Sequence, residues 1–171
     1  MARHEQDFYA TPHWCYQALE PYVNWSHVST TFEPCQGDRR IVNWLKGGRE
    51  HVTVDGCDIR DTPSINYLAT QPDQVDLIIT NPPYSHALEF IKKGISHSRC
   101  SFWFLRLNFL AGQNRNEFFV KNPLKALIVS SRRPSFTNDG KTDAADYGWF
   151  VWEKSTDKEI CRVSGVHHLP L

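Results

Sequence analysis

The chain has 171 residues, a length that suits one domain and leaves no room for a second. Lys plus Arg (19) balance Asp plus Glu (19), so no global field draws the protein to nucleic acid or a membrane, and any polyanion contact falls to a local patch. Hydrophobic residues at 40% and aromatics at 13% are enough to offset the entropy of ordering the chain, which excludes disorder over most of its length.

In chain order, HWCYQALEPYVNW (13–25) follows Thr11-Pro12 and places Trp14, Ala18, Leu19 and Tyr22 on one helical face. The Thr-Pro pair suits the N-cap and first helical position. VSTTFEP (28–34) predicts a strand ending in a polar turn, and RRIVNWLKG (39–47) a helix stopped by Gly47-Gly48. HVTVDGCDI (51–59) is a β-branched strand ending in acids. VDLIIT (75–80) is a continuous apolar run, the pattern of a strand buried on both faces. After Asn-Pro-Pro-Tyr comes the helical spacing of Leu88, Ile91 and Ile95 in 85–98, then a strand over 101–110 and a short helix over 113–122. KALIVSS (125–131) and DYGWFVWEK (146–154) are expected to form an antiparallel pair at the end of the sheet. Alternating strands and helices predict an α/β fold, an open and mostly parallel sandwich.

No window reaches the roughly 18 apolar residues of a membrane span, and the start, MARHEQDFYATPHW, lacks the apolar stretch of a signal peptide. A cytoplasmic protein is expected. Cys15, Cys35, Cys57, Cys100 and Cys161 are odd in number, with no CxxC pair and no His at zinc-finger spacing. Free thiols are expected, with no disulfide framework and no metal site.

Asn81-Pro82-Pro83-Tyr84 stands where the apolar strand ends and before a helix begins, the position at which open α/β sheets bind ligands. Two successive prolines fix φ and remove backbone donors, so the flanking Asn and aromatic ring project from a rigid turn. The Asn amide oxygen and the Pro82 carbonyl are suited to accept the two hydrogens of an exocyclic amine, while the Tyr84 ring stacks on a base. Two such bonds localise the amine's lone pair and aim it. The plain alternative is that the prolines only end a strand and Tyr84 packs in the core.

VDLIITNPPY resembles motif IV of the amino-methyltransferases that modify adenine in DNA. FEPCQGD (32–38) resembles their motif I, and DFYATP (7–12) the motif that precedes it in the gamma-type order. The resemblance extends through SFWFLRLNFLAGQNRNEFF and SRRPSFTNDGKTDAADYGWFVWEK to phage and prophage DNA N6-adenine methyltransferase-like proteins. It implies a Rossmann-like class I fold, with the whole chain as one S-adenosylmethionine-dependent methyltransferase domain, and transfer of methyl to adenine flipped out of DNA. By that likeness Tyr9, Thr11, Pro12, Glu33, Pro34 and Gly37 hold the cofactor, with Gly37 allowing close backbone approach and Glu33 answering its ammonium. Asp58, 21 residues past Gly37, sits near the ~20 expected of the acid that holds ribose hydroxyls. Asp55 competes for that role, and Asp61 is a candidate for the cofactor's adenine. Asn81, Pro82, Pro83 and Tyr84 are the implied catalytic set. Phe136 is the late-loop aromatic that pairs with Tyr84 around the base, and Arg132, Arg133 and Lys141 form a local basic edge for phosphates.

Three departures stand out. Arg39 follows Gly37-Asp38 where the family carries a small residue, which threatens an unfavourable φ and crowds the cofactor. Only 16 residues separate Asp58 from Val75, so one strand is shortened or missing and the middle of the sheet is abbreviated. No separate target-recognition domain is expected, leaving recognition to the 111–124 and 132–146 loops. Two other functions compete: methylation of adenine in RNA, and a methyltransferase-fold binding or inhibitor protein that has lost the cofactor.

Overall fold

The computed structural model describes residues 9–58, 66–136 and 141–170. Seven strands form one sheet: β1 (Thr30–Glu33), β2 (Thr53–Gly56), β3 (Val75–Thr80), β4 (Ser98–Arg106), β5 (Ala126–Val129), β6 (Tyr147–Glu153) and β7 (Gly165–His168). Their order across the sheet is β2-β1-β3-β4-β6-β5-β7. β1 to β4 are mutually parallel, and β6 runs antiparallel to both β4 and β5. β7 lies parallel to β5 at the far edge, a strand that periodicity did not predict because GVHH alternates weakly and is largely exposed. The expected hairpin pair is present, with β6 inserted between β4 and β5.

The apolar run of β3 reads as expected: Leu77 and Ile79 face one layer and Ile78 the other, all fully buried. One layer packs α1 (His13–Gln17) and α2 (Arg40–Lys46) with Phe102, Phe104 and Trp149. The other packs α3 (Ala87–His97) and α4 (Gln113–Lys121) with Trp103, Phe150 and Trp152. The sheet is therefore the middle layer of a three-layer sandwich.

The first helix differs from expectation in its length and in its cap. The helix predicted over 13–25 ends at Gln17 and continues as 3-10 turns at Glu20–Tyr22 and Trp25–His27. Pro21 removes a backbone donor and drives its predecessor out of the α region, so the helix cannot pass it. Pro12, not Thr11, occupies the N-cap of α1, and no side chain caps that end. Among the described residues no strand lies between β2 and β3 and β2 is an edge, in keeping with the strand expected to be shortened or missing after Asp58.

The contact between α3 and β4 is close enough to test. A Cβ on Gly94 would lie 2.2 Å from Cζ2 of Trp103, which is fully buried. Gly94→Ala gains about 1 kcal/mol of helix propensity, but overpacking a fixed indole costs about 1–3 kcal/mol. A net loss of stability is expected in urea unfolding, and an increase would show that the indole yields.

Candidate active site

Because β1, β2, β3 and β4 are parallel, their carboxyl ends meet on one edge of the sheet, and the loops that follow them make the site. At the end of β1, Glu33 is 1% exposed. Its Oε1 accepts hydrogen bonds from the Cys35 N–H at 3.0 Å and from the Thr80 hydroxyl at the end of β3. Its Oε2 is buried without a partner. Burial pushes the Glu33 carboxyl up to about 8; the bonds from Thr80 and Cys35 pull it down and the nearby Asp58 carboxylate adds to the rise.

The loop after β1 is laced to the loop after β2. Gln36 N–H donates to Cys57 O at 3.0 Å, Cys57 N–H to Glu33 O at 3.0 Å, and Gly37 N–H to Asp58 Oδ2 at 2.8 Å. Gly37 takes φ 53, which its missing Cβ permits. Of the two acids weighed for this strand end, Asp58 turns into the loop and is 8% exposed, while Asp55 is exposed and accepts from its own neighbour, Gly56 N–H. Asp61 lies outside the described residues. Pro34 is buried, and its carbonyl faces the Cys57 thiol at 3.6 Å.

Arg39 has φ 65 and ψ 17 and is the one non-glycine residue with positive φ among those described. The left-handed turn foreseen at this position is therefore present, occupied by an arginine. Its side chain is exposed, and its neighbours Asp38 and Arg40 pair with each other at 2.6 Å.

At the end of β3, Asn81 Nδ2 donates to Tyr9 O at 2.9 Å and to Thr11 Oγ1 at 3.0 Å. Asn81 Oδ1 is buried with no partner. Pro83 adopts φ −60 and ψ 123 and heads a 3-10 turn, with its carbonyl accepting from His86 N–H at 3.0 Å. Pro82, just ahead of this turn, is buried.

The Tyr84 ring is flanked by other aromatics. Tyr9 stacks on it at 5.3 Å and 24°, the Arg106 guanidinium lies 5.2 Å from its centroid, and Tyr147 is tilted against it at 6.0 Å. Burial, with Tyr147 alongside, holds the Tyr84 phenol well above its ordinary value. Phe136 is 8% exposed and meets Tyr9 edge-on at 5.4 Å and Tyr147 at 5.5 Å. The expected open slot between Tyr84 and Phe136 is thus filled by the Tyr9 ring, which touches both. Tyr9 has the planar apolar surface that such a slot attracts.

The basic edge is partly neutralised. Arg132 lies over the Trp14 ring at 4.3 Å, Arg133 pairs with Asp146 at 2.9 Å, and Lys141 is exposed. Pro12 is the N-cap of α1.

Sequence reasoning missed a charged network under Tyr84. Arg106 Nε donates to Tyr147 OH at 2.9 Å, Arg106 Nη2 to Asp143 Oδ2 at 3.1 Å, and Tyr147 OH to Asp143 Oδ2 at 2.7 Å. Burial alone would raise the Asp143 carboxyl, but bonds from Tyr147, the Ala145 N–H and Arg106 hold it below the ordinary range. Burial raises Tyr147 to about 12. A lone cation closing the apolar run FWFLR was the available signal for Arg106; nothing local marks Asp143.

No protein-family model matches the sequence, and no curated protein does. Solved structures do match. A Listeria monocytogenes protein described as a class I S-adenosylmethionine-dependent methyltransferase aligns with a TM-score of 0.66 at 16% identity, over 97% of this chain and 67% of that one. The fold is that of the class I methyltransferases. A dimethyladenosine transferase from Plasmodium falciparum aligns at 0.61 and 14%, over 86% of this chain and 63% of its own. The M protein of the type I restriction enzyme EcoKI aligns at 0.51 and 10%, over 91% of this chain and 46% of its own. This chain therefore spans less than two thirds of the latter two. Among the described residues of this methyltransferase fold, no group of His, Cys, Asp and Glu is suited to a metal, no helix is long and apolar enough to cross a membrane, and all five cysteines are free.

Two expected outcomes follow from the strand-end loops. Glu33 ionises near 4.5 when unfolded but keeps its proton to about 8 when folded. Its raised value means that its contribution is complete below about pH 4.5 and is lost as pH rises through about 8. Urea stability of the ligand-free protein should therefore fall across that window, and Glu33→Gln should flatten the fall; a parallel profile would place the titration elsewhere. Arg39→Gly relieves a left-handed turn costing about 1–2 kcal/mol and gives back about 0.5–1 kcal/mol of chain entropy. A higher melting temperature is expected, and a lower one would show that the arginine side chain contributes more than its backbone costs.

Proposed function

We propose that this protein transfers a methyl group from S-adenosylmethionine to the exocyclic amine of adenine in DNA. The observation that carries the reading is Asn81 Oδ1, an acceptor buried without a partner, at the carboxyl end of a central strand and on the turn that also bears Tyr84. Leaving such an atom unpaired costs about 1–3 kcal/mol, and a planar amine supplies the missing donor. Asn81 Oδ1 and the Pro82 carbonyl then accept the two amine hydrogens, which draws electron density onto the nitrogen and sets the direction of its lone pair. Tyr84 stacks on the base.

The cofactor fits the loops after β1 and β2. Glu33 carries a second buried oxygen without a partner, and Asp58 stands close enough to raise its pKa, so the pocket favours a cation that donates hydrogen bonds. Glu33 would take the ammonium group, Asp58 the ribose hydroxyls once released from Gly37 N–H, and Gly37 would allow the backbone to approach. S-adenosylmethionine, when bound, supplies an electrophilic methyl group on a sulfonium. The chain's part is to exclude water with its aromatic wall, hold the amine, and let the displaced proton pass to solvent.

A base that reaches Tyr84 must displace the Tyr9 ring, which has the shape and stacking of a base already in place. Phe136 then closes on it edge-on. Arg132, Arg133 and Lys141 would meet the flanking phosphates, with Arg133 exchanging a surface ion pair worth little for one with phosphate. The same Tyr9 stacking, with the left-handed Arg39 at the cofactor loop, favours a second reading: a binding protein that keeps the fold without transfer.

Labelled S-adenosylmethionine should transfer methyl to unmethylated duplex or single-stranded DNA, and Asn81→Ala should lower the rate by about 100-fold or more with cofactor affinity within a few-fold. Label in RNA alone would change the acceptor. No label in any polymer, from a folded protein, would favour the binding protein.

A further inference from the structure

We propose that Thr11 is a positioning residue that holds the Asn81 side-chain amide in the one orientation able to receive an amine. The proposal rests on reading Asn81 as the amine-binding group. A primary amide is nearly symmetric in shape, and its two ends differ only in chemistry: oxygen accepts and nitrogen donates. A turn that presents the wrong end to an incoming amine sets donor against donor. Something other than shape must therefore choose.

The choice is made by the segment ahead of α1. Tyr9 O is a backbone carbonyl and can only accept, so the Asn81 atom 2.9 Å from it is Nδ2. The second N–H of the same nitrogen meets Thr11 Oγ1 at 3.0 Å. Both donors of the amide are used on this side, and Oδ1 is turned away, buried and unpaired. Rotating the amide by half a turn would bring its oxygen against the Tyr9 carbonyl and strand two N–H groups away from their acceptors.

Thr11 is suited to this by what it does not do. A Thr-Pro pair ahead of a helix ordinarily spends the hydroxyl on capping, but α1 has no side-chain cap, and Pro12 takes the N-cap position with φ −60 and ψ 144. The Pro12 carbonyl accepts from Cys15 N–H at 3.0 Å, which ties the segment to the first turn of α1. The Thr11 hydroxyl, on a residue 6% exposed, is left to a partner 70 positions along the chain. This differs from the cofactor contact implied by resemblance, because its effect is on the orientation of the acceptor and not on cofactor affinity.

The decisive comparison sets Thr11→Val, which keeps the shape and loses the acceptor, beside Thr11→Ser, which keeps the acceptor. At saturating cofactor and DNA, Thr11→Val should lower kcat by about 100-fold while the Kd for S-adenosylmethionine, measured by calorimetry, stays within about two-fold of wild type. Thr11→Ser should restore the rate. In the ligand-free protein, one of the two Asn81 amide proton resonances should move upfield in Thr11→Val and hold its place in Thr11→Ser. A weakened Kd with an unchanged kcat would make Thr11 a cofactor contact and overturn the proposal. So would unmoved amide resonances in Thr11→Val. A wild-type protein inert on every nucleic acid, but with the amide resonances responding as expected, would sink the methyltransferase reading while the orientation of Asn81 by Thr11 stood.

Discussion

A carboxyl group almost without solvent joins two neighbouring parallel strands of the sheet at the edge that carries the candidate site. Glu33 closes β1 and Thr80 closes β3, and the hydroxyl of one meets the carboxyl of the other in the interior. That bond brings the glycine loop after β1 beside the Asn-Pro-Pro-Tyr turn after β3, and it holds only while the strands are parallel and in register, as Phe32 opposite Ile78 requires. A buried acid satisfied on one oxygen alone is a poor stability device. Its second oxygen and the amide oxygen of Asn81 are both buried without a partner, so the fold has already met the cost of desolvating them.

Around these polar atoms the chain builds an aromatic wall. Tyr9, Tyr84, Phe136 and Tyr147 touch in series, and Arg106 and Asp143 brace the far end with charged hydrogen bonds. The wall is complete without a ligand because Tyr9 fills the place beside Tyr84. An exposed aromatic slot would be an apolar surface open to water, so covering it with Tyr9 favours the folded chain. Arg39, with its positive φ, lies in the loop that follows β1 and the buried Glu33, and rare backbone conformations of this kind tend to collect at functional sites.

The fold was legible because its signals are local. VDLIIT could only be a strand buried on both faces, and the alternation of such runs with 3.6-period segments dictated a sandwich. Pro21 was equally legible as a helix breaker, although the apolar face of 13–25 pointed past it; backbone sterics won over periodicity. β7 carried no pattern, since an edge strand half in water needs none. At the site, Asn81, Tyr84, Glu33 and Asp58 stood at strand ends where sheet geometry demands ligand groups, and Arg39 was marked by its place in a glycine turn.

By itself the sequence determined the strand order of events along the chain, the rigid proline turn and the identity of the acids and amide at the strand ends, because each follows from backbone sterics or short-range spacing. Only the tertiary structure decided that Tyr9 stacks on Tyr84, that Thr11 serves Asn81 rather than α1, that Asp143 reaches Arg106 and Tyr147, and that Asp58 rather than Asp55 turns into the loop. Apart from the four-residue link between Asp143 and Tyr147, those contacts join residues tens of positions apart, and a hydrogen bond or ring contact at such separation leaves no period, spacing or composition in the chain that makes it.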